Sequence, residues 1–123
     1  MLPMEETGHT FGTYFKRTTS PIIVLSLLRE KTMYVYELST TMKKRSAGRY
    51  TVAILYPVLY RLEELGYVEN SNTEIVDGRA RNYYRITATG EKYLTECLAE
   101  YRAMHEAFCE LIEDSDKRVA KKK

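Results

Sequence analysis

Residues 54–69 read ILYPVLYRLEELGYVE. Ile54, Leu55, Val58, Leu62 and Leu65 recur at steps of three and four, the spacing of one helix face, and Gly66 closes the run. Pro57 stands where a helix interior is expected. It should delete the bond from its own position to the Ala53 carbonyl and bend the helix there. Tyr56, Tyr60 and Arg61 fall on the opposite, wet face, with Arg49, Thr51 and Ala53 on or before it. Two readings account for a wet face so furnished. Either the rings cover the edge of the core, or the face meets a partner that uses hydroxyls, flat rings and forked cationic donors. Duplex DNA is such a partner, through its phosphates and base edges.

Working outward, Ser20-Pro21 has the form of a helix start, with serine as cap and proline at the first helical position. PIIVLSLLRE follows and is apolar almost all round, so this helix should be buried on several sides. YVYELSTTMKKR fits a second helix with Val35, Leu38 and Met42 inward, and SAGRY ends it. The third helix should start near Thr51, as cap, and run to Gly66. On its other side, Asp77-Gly78 marks a hairpin turn, because such turns need positive backbone φ. Val68 starts one arm, and on the other Tyr84 and Ile86 alternate with Tyr83 and Arg85. Thr87 should cap a last helix to about Ile112. Three helices, a two-stranded hairpin and a long helix make a mainly α chain with a β-wing. That order is a winged helix-turn-helix, whose third helix enters the major groove while the wing lies along the backbone or minor groove.

In the last helix Leu94, Leu98, Tyr101, His105, Phe108 and Ile112 step by four and three, a heptad seam. Cys97, Met104 and Leu111 widen it. A domain this small lacks the core to cover such a stripe, so a second copy of the chain is expected there. Tyr93, Tyr101, Met104 and Phe108 would then line an apolar interface with a few hydroxyls, which suits a small aromatic effector.

The chain has 123 residues, enough for one domain, and a net charge of +2. The charge is uneven. Residues 29–61 hold seven basic and two acidic side chains, residues 86–116 two basic and eight acidic, and the tail KRVAKKK five basic. Such asymmetry fits an oriented encounter with a charged partner, although charge runs also simply solvate surfaces. No apolar run approaches a membrane span, and no secretory pattern opens the chain. Two cysteines, Cys97 and Cys109, give no disulfide framework and fit a reducing cytoplasm.

The run LYPVLYRLEELGYVE, a variable hairpin and then DGRARNYYRITATGEKYL resemble the PadR family of bacterial transcriptional regulators. The matching residues are Leu55, Tyr56 and Pro57; Arg61, Leu62 and Glu63; Gly66; Gly78, Arg79, Arg81, Tyr83 and Tyr84; Thr87 and Gly90. Tyr36-Glu37 stands where the family often has Gly-Tyr-Glu, with Val35 in the glycine's place. The resemblance covers residues 20–98. It implies a homodimeric repressor whose terminal helix packs near the partner's first helix, and a short branch with a single such helix. Members often sense phenolic acids, drugs or other small aromatic molecules. Some multidrug sensors use a tryptophan in that helix, and this chain has none.

The expected organisation is a loose arm over 1–19 with room for a short helix, a winged helix-turn-helix domain over 20–86, a dimerisation helix over 87–113 and a flexible basic tail over 114–123. Arg49, Thr51, Tyr56, Pro57, Tyr60, Arg61, Arg79 and Arg81 are the expected contacts to double-stranded DNA bearing a pseudo-palindromic operator. His105 and Cys109 lie one turn apart, a spacing that could hold zinc, but Cys97 is three turns away and His9 is in the arm, so no metal and no cofactor are expected. No nucleophile–base set, phosphate loop or HExxH motif points to an enzyme. The rival reading is a winged-helix protein-interaction module without specific DNA binding.

Overall fold

Helix α1 spans Phe11–Glu30 and begins well before the Ser20-Pro21 start that the sequence predicts. The computed structural model describes residues 10–51 and 55–122. Thr10 is the actual cap, its Oγ1 accepting from the Thr13 N–H at 3.2 Å. Pro21 lies in the helix interior, where it has no N–H to give the Arg17 carbonyl. Just before it, the Ser20 hydroxyl donates to the Lys16 carbonyl at 2.5 Å and the Thr19 hydroxyl to the Phe15 carbonyl at 2.7 Å. The serine that reads as a cap therefore bonds backwards along a continuous helix. This corrects the loose arm over residues 11–19. The rest of that expected arm, with His9, lies outside the described residues.

The second half of α1 is the centre of the molecule. Val24, Leu25 and Leu28 are buried, and the next two helices, the last strand and the terminal helix all pack on this one. That enclosure is why the segment can be apolar on every side. Two residues of strand, β1 (Met33–Tyr34), then lead directly into α2 (Val35–Arg45). Leu38 and Met42 point inward as expected, and Val35 is half-buried. Arg45 donates to both carboxylate oxygens of Glu30, at 2.6 and 3.0 Å, joining the C-terminal ends of α1 and α2. The bond holds the Glu30 carboxyl below its usual range.

Helix α3 runs Leu55–Glu64. Residues 52–54 lie outside the described residues, and with them Ala53, Ile54 and the expected cap junction after Thr51. In α3 as described, Pro57 falls in the first turn, where an amide N–H has no intrahelical partner. Leu55, Leu59 and Leu62 are buried and Val58 is half-buried. The innermost position is Leu59 rather than Leu65, which is 45% exposed beyond the helix end. Gly66, at φ 81°, turns the chain, and the Tyr67 N–H donates to the Leu62 carbonyl at 2.9 Å.

β2 (Val68–Val76) and β3 (Arg79–Ile86) form the expected hairpin. Asp77 (φ 52°) and Gly78 (φ 75°) make its two-residue turn between the paired Val76 and Arg79. The two-stranded sheet predicted from the sequence is in fact three-stranded and antiparallel, in the order β1-β3-β2. Met33 pairs with Tyr84 and Tyr34 with Tyr83. Met33 and Tyr84 are buried, whereas Tyr34 and Tyr83 face out together.

Thr87 caps α4 (Ala88–Lys121), its Oγ1 accepting from the Gly90 N–H at 3.0 Å. The helix is roughly 51 Å long at 1.5 Å per residue. It passes the predicted end near Ile112 and takes in most of the expected flexible tail. Lys117 pairs with Glu113 at 3.5 Å and Arg118 with Asp114 at 3.0 Å. The acid stands four residues before the base in both, the favourable orientation, and cations at a helix C-terminus suit its dipole. Leu94, read as an interface residue, is fully buried in the chain's own core. Leu98 is half-buried against the same core. Of the described helices, none is long and apolar enough to cross a membrane.

Candidate nucleic-acid interface

The exposed side of α3 and the wing enclose a cleft of about 620 Å³. Tyr34, Val35 and Tyr36 line it from the β1–α2 corner. Tyr56 comes from α3, and Val76, Asp77, Arg79, Ala80, Arg81 and Asn82 from the wing. The expected contacts Tyr56, Arg79 and Arg81 therefore converge. Tyr60 stands beside Tyr56, ring centroids 6.0 Å apart. Both residues are more than half exposed, which supports a partner-facing role over cover for the core's edge.

Pro57 and Arg61 do not join them. They line a second cleft of about 450 Å³ between α1, α3 and α4, with Arg17, Pro21, Leu65 and Tyr93. Arg61 is also tied to Glu64 at 2.9 Å. Arg49 and Thr51 are exposed in the connection between α2 and α3, and line neither cleft. The arginines of β3 differ among themselves. Arg85 lies across from Glu69 and forms an ion pair with it at 2.6 Å. Arg81 lies across from Glu74, beyond a register shift between Asn70 and Asn72, and makes no ion pair among the described residues. Its guanidinium sits 4.7 Å from the centroid of the Tyr34 ring. Arg79 likewise has no ion-pair partner there. A solvent-facing cleft with two guanidiniums that make no ion pair among the described residues, beside exposed phenols and one carboxylate, Asp77, suits an extended polyanion.

Sequence reasoning missed Tyr34, Tyr36 and Asn82 in this cleft. The alternation of Met33, Tyr34, Val35 and Tyr36 is a strand-like signal for the first two, but four residues are too few to separate it from the start of α2.

The predicted interface stripe divides along α4. Beyond Leu98, Tyr101 is 40% exposed, Phe108 58% and Ile112 49%, and His105 is exposed. Met104 and Leu111 are exposed beside them, and Phe11 and Phe15 of α1 add to the same apolar surface, Phe15 packing edge-on to Tyr101. The four predicted effector residues do not share one pocket. Tyr93 lines the α1–α3–α4 cleft, whereas Tyr101 lines an apolar one of about 260 Å³ with Phe15, Thr19, Ile22, Ile23, Tyr50 and Leu98. Met104 and Phe108 line neither. The Tyr93 phenol is held above its usual range by a hydrogen bond with Cys97 and by burial. Cys109 Sγ and His105 Nε2 are 3.6 Å apart, and among the described residues no third ligand joins them.

Known proteins resemble the part of the chain that holds the α3–wing cleft. The profile of the "Transcriptional regulator PadR-like family" matches residues 24–96. A Lysinibacillus sphaericus protein called "Uncharacterized protein X" is 37% identical over 86 residues, 68% of this chain and 79% of the relative. A solved transcriptional regulator from Clostridium thermocellum superposes with a TM-score of 0.71 at 30% identity, over 77% of this chain and 94% of that one. The crystal structure of a PadR family transcriptional regulator from Eggerthella lenta gives 0.73 at 28% identity, over 81% and 87%.

Proposed function

The chain belongs to the PadR-like family of transcriptional regulators, and from that premise we propose that it is a homodimeric, sequence-specific repressor released from its operator by a small aromatic molecule. Regulators of this family are DNA-binding proteins and not enzymes. The observation that carries the reading is the meeting of Tyr56, Arg79 and Arg81 on one open cleft, with both guanidiniums free of carboxylates among the described residues. In this reading α3 enters the major groove. The wing arginines hold the flanking phosphates, and Tyr60, Arg49 and Thr51 extend the contact along the backbone. Pro57 shapes the first turn of α3, and Arg61 reaches DNA only by leaving Glu64.

The reader is then the unit over residues 20–86, and the distal part of α4 joins two copies. Tyr101, His105, Phe108 and Ile112 form the seam, with Leu98 at its inner edge. The exposed apolar run from Tyr101 to Ile112 supports this, since exposed apolar surface of that extent is characteristic of interfaces. Repression follows from occupancy, because a dimer seated on a promoter excludes the polymerase. A small aromatic effector would enter at the apolar cleft beside Tyr101, next to the seam, where Met104 and Phe108 of a partner could complete it. Such a regulator acts in the cytoplasm.

Selecting bound fragments of the source genome with the purified protein tests the proposal. Recovery of fragments sharing a pseudo-palindrome is the expected result. Failure to retain duplex DNA in a steeply salt-dependent way, with no shared site recovered, would favour the protein-interaction reading, since phosphate contacts release counterions.

A further inference from the structure

We propose that Tyr34 is a positioning residue for DNA binding: its ring holds the Arg81 guanidinium at the mouth of the wing cleft, ready for a phosphate. This rests on the reading of that cleft as the DNA interface. Three observations carry it. First, β1 stops after Tyr34, where the chain leaves the sheet for α2. Tyr34 is paired with Tyr83 and so lies diagonally across from Arg81, within reach of a long side chain. Second, the three groups are clustered, with the Tyr34 and Tyr83 rings tilted 59° to each other. The Tyr34 and Tyr83 rings have centroids 5.3 Å apart, and the guanidinium lies 4.7 Å from the Tyr34 centroid on the same sheet face. Third, the alternative partner is present and unused. Glu69 captures Arg85 from across the ladder, while Glu74, directly opposite Arg81 on the other side of the register shift at Asn70–Asn72, does not pair with it.

The consequence is chemical. An arginine bound to a carboxylate has its fork occupied, and must break that pair to meet a phosphate. An arginine resting on an aromatic face is held through its plane, so the N–H groups around its edge stay free to donate. The order imposed on a long side chain before binding is order that binding need not impose. Tyr34 thus acts through Arg81, and β1 places it while Met33 anchors the same two residues in the core.

The test uses the full chain and a mixed-sequence duplex of about 40 base pairs, long enough for a dimer spanning one helical turn. Affinity is read by fluorescence anisotropy between about 50 and 200 mM salt. Tyr34→Leu should weaken binding roughly two- to five-fold, the range of an exposed cation–π contact. Tyr34→Phe, which keeps the ring, should bind like the unaltered chain. In an Arg81→Ala background, Tyr34→Leu should have no further effect. Tyr34→Val, equally without a π face, carries the same expectations if the leucine variant folds poorly, as judged by thermal melting. An equal loss from Tyr34→Leu in both backgrounds would overturn the proposal, because the ring would then act independently of Arg81. So would unaltered binding by Tyr34→Leu while Arg81→Ala binds weakly, a result that leaves the wing reading intact. Unaltered binding by Arg81→Ala would remove the wing reading and the positioning role together.

Discussion

The Tyr67 and Tyr93 rings stack with centroids 4.2 Å apart and planes 9° from parallel. Tyr67 follows the turn that ends α3, and Tyr93 lies in the second turn of α4. The same junction is bonded through the backbone. The Thr87 N–H donates to the Tyr67 carbonyl at 3.0 Å, and the Thr87 hydroxyl to the Gly66 carbonyl at 2.7 Å. The exit of α3 and the entry of α4 are therefore joined by one ring stack and two hydrogen bonds.

Gly90 is what lets the joint close. A methyl group there would overlap the Tyr67 carbonyl and crowd the Ile86 side chain. Alanine is the better helix former by about 1 kcal/mol. The backbone carbonyl cannot step aside as a side chain can, and overpacking costs about 1–3 kcal/mol or more. Gly90→Ala should lower Tm by about 5 °C or more in a thermal melt followed by circular dichroism. A melting point at or above that of the unaltered chain would show that α4 can move off Tyr67 at little cost.

The wing arginines should separate by partnership rather than by position. Arg79→Ala removes a cation with no ion-pair partner among the described residues, so duplex affinity should fall across all sequences and the salt slope by about one. Arg85 is held by Glu69. Arg85→Ala should therefore change the slope by less than half as much. Equal slopes for the two variants, measured over the same salt series, would mean that the Glu69 pair opens freely on binding.

The legible parts of the chain were those where one local cause dominates. Asp77-Gly78 must be a turn because of its φ values. Thr87 must cap because its hydroxyl meets a free N–H three residues on. Where two causes compete, the sequence was a poor guide. Ser20-Pro21 satisfies every local condition for a start, yet the chain before it caps at Thr10 and the two hydroxyls ahead of the proline bond to carbonyls behind them. The basic tail has the composition of a solvated end, but acids four residues earlier make it a helix. The heptad spacing of Leu94 to Ile112 could not say which part faces the chain's own core. Burial puts Leu94 inside and leaves the run from Tyr101 outside. The split between Tyr56 and Arg61 depends on how α3 sits between the wing and α1, which no local pattern encodes.

Tyr56 should contribute to DNA binding more than to folding. Tyr56 is 51% exposed and its neighbour Tyr60 57%. Tyr56→Ala should leave the melting temperature nearly unchanged and reduce operator affinity. Tyr56→Phe separates the hydroxyl from the ring. Loss with both variants points to a hydrogen bond from the phenol, and loss with alanine alone to packing against a sugar. Early melting of Tyr56→Ala, with full affinity below the transition, would return the residue to a role in the fold.

Acid should loosen the union of α1 and α2. The Arg45 hydrogen bond holds the Glu30 carboxyl below its ordinary value of 4.5. A carboxyl lowered in the folded state contributes stability above its unfolded value, and that contribution is lost as pH falls through the folded one. The pair is exposed, so its effect is small. In urea titrations, Glu30→Gln should lie below the unaltered chain near neutral pH and converge with it under acid. A constant offset at every pH would assign the loss to packing instead.

The outer half of α4 should decide both assembly and operator binding. Leu98 is half-buried against the head's core, so a charge there would disturb the fold as well as any interface. Phe108 is 58% exposed and touches no part of that core, which makes Phe108→Glu the clean probe. The substitution should give a folded monomer by light scattering, with the melting profile no longer dependent on protein concentration. Two heads on a two-fold axis read half-sites with centres about 34–36 Å apart, or a multiple of that. A monomer engages only one half-site and loses the gain from linking two. Operator affinity should therefore fall steeply while affinity for an isolated half-site stays unchanged. A folded, monomeric Phe108→Glu chain that still bound the full operator tightly would refute the seam and the half-site spacing together.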